Sequence, residues 1–514
     1  MPIPLPTPQE MGLWDRRTID EFGIPGEMLM ENASREIHHV LKAKFRDLHQ
    51  SNIVLFAGSG NNGGDAFALS RHLIQSKAKC LVLHTRELDE YSGDAAFHLN
   101  LARKSDVRMM KLTGYNLDGL NRPDIIVDGL LGTGFSGTLR EDYQEWIKAI
   151  NRLGKNRFVL SIDIPSGLNG TTGRPGPLAV KADCTVTFEE AKIGLLMPEA
   201  EDFVGDLLVR TIGIPESIKQ ANPPSVYGLD REVLEGLPPA FGLDHKGKAG
   251  RLLIIGGSPG LTGAPALAGL GALRSGSGLV TVAAPGGICR EVKQGWPDIM
   301  TLPLGSGTIW TSDLLEPLKK MVFQSDAVVI GPGIGRDPDT VNFVHDYLKF
   351  QPRPTVYDAD ALFALAQDQV LMRKLPQNSI LTPHPGEMAG LCACSIADVQ
   401  KDRPRTVKEL AKRVGCPVIL KGPGTLIAAP ESPVYLSACF CSNLAVGGSG
   451  DVLSGMLGSL LSRTTNLLDT ACLAVFWHCL AGKQLQKQYP YRGNLAQEIA
   501  HALPQCLDLC RKHG

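Results

Sequence analysis

Val446-Gly447-Gly448-Ser449-Gly450-Asp451 sets a run of small residues directly before one carboxylate, and an apolar, helix-like stretch from Val452 to Leu461 follows. Free backbone N–H groups at a helix N-terminus attract anions, and glycines let a phosphate approach the backbone. An acid at that place repels a resting phosphate. It suits a base that takes the proton from a hydroxyl about to attack one. The pattern points to phosphoryl transfer to an alcohol, with Asp451 as base and the N–H groups of Gly448, Ser449 and Gly450 facing the moving group. The competing reading is a tight turn in which Asp451 is an N-cap. Upstream, Lys421-Gly422-Pro423-Gly424-Thr425 ends a strand-like run. Lys421 there is either a point charge for nucleotide phosphates or part of a hairpin turn. In Thr382-Pro-His384-Pro-Gly-Glu387 the prolines stiffen the backbone that carries His384, as a substrate contact or a structural residue. Asp358 and Asp360 read mainly as helix caps.

The first half carries a different set. Gly58-Ser-Gly-Asn61-Asn62-Gly63-Gly64-Asp65 lies between a strand-like and a helix-like run. It lacks the Lys-Ser/Thr of a phosphate-binding P-loop, and a dinucleotide fingerprint fits only as Gly58, Gly60 and Gly63. Its N–H groups can form an anion nest. The amides of Asn61 and Asn62 and the acid of Asp65 suit an amide, a ribose or a cation. Asp128, followed by Gly132-Thr133-Gly134-Phe135-Ser136-Gly137-Thr138, and Asp163-Ile-Pro-Ser166-Gly167 end two further strands. Oxygens of Asn62, Asp128 and Ser166 would make a cage for a hard cation. Asp163 is a candidate general acid/base. Ordinary turn chemistry is the alternative throughout.

These loops need strand ends to sit on. Strand-like runs at Ile53–Ala57, Asp124–Asp128, Phe158–Asp163, Asp183–Phe188 and Leu207–Ile212 alternate with helical patterns. After a proline-rich stretch from Ile214 to Leu243, which reads as a linker, the alternation resumes at Arg251–Gly257 and continues through Asp326–Ile330, Thr355–Tyr357 and Pro417–Lys421. This is the signature of helix-covered parallel sheets. We expect two α/β domains, residues 1–220 and 225–514. In such sheets ligands bind beyond the carboxyl ends of the strands, where the motifs fall. The net charge of −1 gives no attraction to nucleic acid or to an anionic membrane. No apolar run reaches membrane-spanning length and no signal peptide is visible, so a cytoplasmic protein is expected. The 12 cysteines lack zinc spacing, so free, buried thiols are expected.

Asn61–Asp65, Asp128 with Gly132-Thr-Gly134, Asp163-Ile-Pro-Ser-Gly167 and Ala182–Phe188 together resemble the NAD(P)H-hydrate epimerase family. Gly23-Ile-Pro25 and Leu29-Met-Glu-Asn32 look like its first helices. The resemblance implies a Rossmann-like three-layer sandwich that interconverts the C6 epimers of hydrated NAD(P)H. It implies substrate contacts at Asn61–Asp65, at Gly132–Thr138 and at Asp163, and potassium held by Asn62, Asp128 and Ser166. Ala66, where glycine is usual, and Phe188-Glu189-Glu190 depart from the family pattern.

The second half resembles the ribokinase-like, ADP-dependent NAD(P)H-hydrate dehydratases. The resemblance is carried by Gly256-Gly-Ser, Thr262-Gly-Ala264, Gly331-Pro-Gly333-Ile-Gly335, Asp358–Leu362, Thr382–Glu387, Lys421–Thr425 and Gly448–Asp451 in that order. It implies substrate contacts at Ala264, Gly333, His384 and Asp451, and nucleotide contacts at Lys421, Gly422, Pro423, Gly424, Thr425 and Gly448–Gly450. It further implies Mg2+, ADP as co-substrate and a homo-oligomer, a tetramer or larger. Ser449 replaces the usual threonine, and Pro297-Asp-Ile-Met300 departs conservatively. A small-alcohol kinase fused to a ligand-binding domain is the alternative.

Overall fold

The computed structural model describes residues 2–113, 123–135, 139–239 and 247–511, with side chains to residue 507. The chain divides into two compact units, one spanning Pro4–Val226 and the other joining the residues before Pro4 to those from Tyr227 onward.

The first unit is built on a seven-stranded sheet. Its strand order is Arg108–Lys111, Lys79–His84, Asn52–Ala57, Ile125–Gly129, Phe158–Ile162, Cys184–Phe188 and Asp206–Arg210. All neighbours are parallel. Strands buried on both faces are rich in apolar residues, and the polar side chains that Ile125–Gly129 and Cys184–Phe188 bury, Asp128, Thr185 and Thr187, are all hydrogen-bonded. Side chains alternate between two cores. Ile53, Leu55 and Ala57 pack under helices Gly26–Lys44, Asn61–Gln75 and Gly93–Lys104. Val54 and Phe56 pack under helix Glu141–Leu153. This is the expected three-layer, Rossmann-like order. Its switch point lies between Asn52–Ala57 and Ile125–Gly129, and the crevice there opens to the candidate loops.

The second unit repeats the logic. Seven parallel strands run in the order Met300–Leu304, Leu279–Pro285, Arg251–Ile255, Ala327–Ile330, Thr355–Tyr357, Ser379–Leu381 and Val418–Leu420. Thr425–Ala428 and Val434–Ser437 then continue the sheet antiparallel. Helix Ser449–Leu461 crosses Gly263–Arg274 at very close range: a Cβ on Gly455 would lie 1.8 Å from the Ala268 carbonyl.

Three expectations need correction. The Ile214–Leu243 stretch is not a bare linker, because Glu216–Ala221, Val226–Gly228 and Arg231–Gly236 are ordered elements within it. Residues 240–246 lie outside the described ones. The helices carrying the motifs begin earlier than their apolar periodicity suggests, at Asn61 and Ser449, so both motifs are first turns rather than loops before them. The cysteines are not all free and buried: Cys439 and Cys479 form a disulfide, and Cys394 is exposed. Among the described residues no helix is long and apolar enough to cross a membrane.

Candidate active sites

In the first unit, Asn61, Asn62, Asp65, Gly132, Thr133, Gly134, Phe135 and Asp163 line one cleft of about 650 Å3. Ser136, Gly137 and Thr138 lie outside the described residues. Gly63 and Gly64 serve packing. A Cβ on Gly63 would sit 1.9 Å from the Gly58 carbonyl, and one on Gly64 2.6 Å from Met30 Sδ. Ala66 is fully buried against the sheet.

Asp163 follows strand Phe158–Ile162 with φ +63°, a left-handed backbone that costs a non-glycine residue energy. That strain aims its carboxylate inward. Oδ1 accepts from Lys192 Nζ at 2.6 Å and from Thr187 Oγ1 at 2.9 Å. Lys192 is itself 1% exposed and also donates to the Phe188 carbonyl at 2.9 Å. Asp15, from helix Pro8–Arg17, also lines the cleft. Burial raises the Asp15 carboxyl to about 6, with Lys192 opposing and Asp163 adding. Burial, then the charges of Asp163 and Asp15, holds Asp65 well above the usual carboxylate range. The departure at Glu189 is structural. It accepts from the N–H of Ile212 at 3.1 Å and from Lys219 at 3.1 Å, tying down the next strand's exit.

Asn62, Asp128 and Ser166 come together beside the cleft. Asn62 Nδ2 donates to the carbonyls of Leu131 at 2.8 Å and Ile162 at 3.0 Å. Ser166 Oγ lies 2.5 Å from Asp128 Oδ1 and 3.2 Å from the Leu131 carbonyl. Asp128 is fully buried and, among the described residues, has no basic partner. Burial outweighs the hydrogen bonds it accepts from Ser166, Ser161 and Leu130, so its carboxyl titrates above the ordinary range. A buried carboxyl without a countercharge, amid several oxygens, fits a hard cation.

In the second unit, Gly448 is the helix N-cap residue at φ +91°, and Asp451 caps nothing. The capped-turn reading therefore fails. Burial lifts the Asp451 carboxyl to about 7, with Asp358 adding and Lys421 opposing. Lys421 is not an exposed point charge. Its Nζ meets Asp358 Oδ1 at 2.6 Å, with the two side chains 18% and 2% exposed. A Cβ on Gly450 would lie 3.3 Å from that ammonium. Thr382 Oγ1 donates to Asp358 at 2.7 Å, and Ser454 Oγ bridges Asp358 and the Gly450 carbonyl. Asp358 is thus the hub of the site rather than a cap. Asp360 pairs with Arg336 Nε at 2.6 Å, and Ala359 between the two acids is held at φ +50°.

Lys421–Thr425 is also a hairpin turn, with Gly422 and Gly424 at φ +132° and +62°. Arg403 Nη1 holds it through the Pro423 carbonyl at 2.6 Å. His384 caps helix Pro385–Cys392, with Nδ1 accepting from the N–H of Gly386 at 3.0 Å. Its Nε2 lies 3.4 Å from Glu387 Oε1, and the His384 side chain is 54% exposed. Burial, reinforced by Lys421, lowers its pKa. Burial raises Glu387 to about 7, against the pull of Lys421. Ser449 Oγ meets the buried His478 Nε2 at 3.3 Å. Ala264 and Gly333 are neighbours across the sheet end: a Cβ on Gly333, which has φ +60°, would lie 3.1 Å from Ala264 Cβ.

The motifs did not expose Asp15, Lys192, Ser454 or His478. Asp15 had a signal, since it shares the apolar helical face of Met11 and Trp14. Lys192 is joined to Asp163 only through the fold, across 29 residues.

Comparison with known proteins agrees with this division. Residues 26–194 match the model described as YjeF-related protein N-terminus, and residues 252–505 match NAD(P)H-hydrate dehydratase. The bifunctional NAD(P)H-hydrate repair enzyme Nnr of Moorella thermoacetica is 35% identical over 98% of this chain and 96% of its own. The chain belongs to the family of bifunctional NAD(P)H-hydrate repair enzymes. The enzyme of that name from Dictyoglomus turgidum is 33% identical over 98% of both chains. An ADP/ATP-dependent NAD(P)H-hydrate dehydratase from Bacillus subtilis, co-crystallized with ATP and Mg2+, is 28% identical with TM-score 0.47 and covers 54% of this chain and 95% of its own. Members of the family pair an epimerase domain with a dehydratase domain, and both are present here.

Proposed function

We propose that the first cleft epimerises hydrated NAD(P)H at C6 and that the second site dehydrates the S epimer at the expense of ADP. The observation that carries the second assignment is Asp451: a buried, raised carboxyl in the first turn of a glycine-led helix, beside the Lys421–Asp358 pair. Asp451 takes the proton of the C6 hydroxyl, whose oxygen attacks the terminal phosphorus of ADP and releases AMP. The backbone N–H groups of Gly448, Ser449 and Gly450 receive the charge of the moving phosphoryl group. Phosphate then leaves C6, and loss of a ring proton restores the nicotinamide. The hairpin Lys421–Thr425 receives the nucleotide, and Ala264, Gly333 and the exposed His384 ring face the substrate.

Asp163 moves protons in the first cleft, with Lys192 fixing its orientation. Potassium held by Asn62, Asp128 and Ser166 would anchor the loops of Leu131 and Ile162, whose carbonyls point among those residues. In the second unit Asp358, Asp360, Glu387 and Asp451 outnumber Lys421 and Arg336. Among the described residues no three His, Cys, Asp or Glu side chains are placed to hold a metal alone. That surplus of acid suits Mg2+ arriving with the phosphates, where it would neutralise their charge. A homo-oligomer in the cytoplasm completes the reading.

Product analysis tests the reading. Hydrated NADH with ADP should yield AMP, free phosphate and restored absorbance of reduced nicotinamide. A stable phosphorylated product would instead identify a small-alcohol kinase.

A further inference from the structure

The cleft of the first unit holds a second carboxyl group that the motifs do not mark. Helix Pro8–Arg17 is set by a Thr7–Glu10 capping box and by Trp14, which is fully buried with Nε1 on the Asn222 carbonyl at 2.8 Å. Helical spacing puts Met11, Trp14, Asp15 and Thr18 on that same inner face. Met11, Asp15 and Ile19 line the cleft together with Asp65 and Asp163.

Nothing in the packing accounts for an acid there. Among the described residues the Asp15 carboxyl has no ion pair and no hydrogen-bond partner, whereas Asp163 has the Lys192 ammonium at 2.6 Å. Asp15 lies in the last α-helical turn, where its own carbonyl and that of Trp14 accept from the Thr18 N–H. The helix leaves this turn as a π-helical segment, Thr18–Phe22, a distortion found often at functional sites. The charged groups facing Asp15 are Lys192, Asp163 and Glu189, with Arg16 beside it. Asp65 faces it as well, and Arg86, Asp94 and Arg140 complete the lining.

We infer that Asp15 is the second proton carrier of the cleft, acting with Asp163 from another element of the unit. The inference rests on reading this cleft as the epimerase site. One carboxyl group with an ammonium partner and one without are suited to base and acid roles. Asp15 gives its proton to the C6 hydroxyl. The C6–O bond breaks, water leaves, and the N1 lone pair forms an N1=C6 iminium. Water adds to the opposite face, the N1=C6 pair returns to N1, and the proton of the adding water goes to Asp163. The other epimer runs the sequence in reverse, with Asp163 as acid. Atoms and charge balance without a co-reactant.

The test uses the full chain without ADP, following each epimer by chromatography and subtracting the enzyme-free rate. Asp15→Asn should lower epimerisation about 100-fold or more, and Asp15→Glu should recover part of it. Dehydration of the S epimer with ADP should stay unchanged in both. Wild-type kcat/KM for the epimer whose hydroxyl meets Asp15 should fall as pH rises through about 6, where Asp15 loses its proton. That limb should vanish in Asp15→Asn. If Asp163→Asn is inactive while Asp15→Asn keeps the wild-type rate and profile, the cleft reading stands and the role of Asp15 falls. If both variants epimerise normally, the cleft reading itself is wrong. Should Asp15→Asn fail to fold, the wild-type profile decides: a limb near pH 6 supports the role, and a flat profile from about pH 5 to 8 overturns it.

Discussion

Asp451 and Asp358 sit in one buried site, and their surroundings separate them. Asp358 takes the Lys421 ammonium, Thr382 and Ser454, while Asp451 is left with burial and neighbouring acids. A base raised to about 7 must be ionised to accept the hydroxyl proton. Dehydration kcat/KM should therefore drop about tenfold per unit as pH falls below about 7, and level off above it. Stability should move the other way. A carboxyl raised by folding is held ionised at a cost above that pH, and the cost shrinks as pH falls toward the unfolded value. Asp451→Asn should raise the urea midpoint of the second unit at pH 8, with a smaller gain at pH 6. Removing the partner of Asp358 has a larger effect. Lys421→Met leaves a buried charge alone and should destabilise by about 3–5 kcal/mol in urea unfolding, much of it recovered by adding Asp358→Asn. The types of these residues were legible in the motifs. Their pairing was not, because Lys421 and Asp358 are 63 positions apart and Ser454 and Asp358 are 96 apart.

At the scale of elements, the site depends on close backbone approaches. Gly455 lets helix Ser449–Leu461 press on the Ala268 carbonyl of helix Gly263–Arg274, and Gly271 meets Val452 in return. Gly455→Ala would force the helix that carries Asp451 outward. It should cost about 2–4 kcal/mol in the second unit and lower dehydration while sparing epimerisation, as paired assays on one preparation would show. Strands such as those holding Ile53–Ala57 and Ala327–Ile330 were readable because they are short continuous apolar runs. The helix starts were not. Asn61–Asp65 and Ser449–Asp451 are small and polar, so periodicity began one turn late in both places. Short elements between Ile214 and Leu243 were hidden by prolines, whose fixed φ favours turns and breaks the pattern without abolishing order.

At the scale of the whole molecule, two units carry two separate sets of acids. The fold class was visible in the alternation of strands and helices, and the ordered motifs named the family. The cation reading rests on three residues that meet only after folding. Epimerisation should rise with potassium and fall in Asp128→Asn, while dehydration should not. The central claim is that the units act in succession on one damaged cofactor. The most direct measurement supplies only the R epimer of hydrated NADH, with ADP, and follows reduced nicotinamide absorbance. The wild-type chain should convert all of it. Asp163→Asn should convert it only at the spontaneous epimerisation rate, and Asp451→Asn should mix the epimers yet restore no NADH. Loss of both activities in either folded variant, or full conversion by both, would contradict the account.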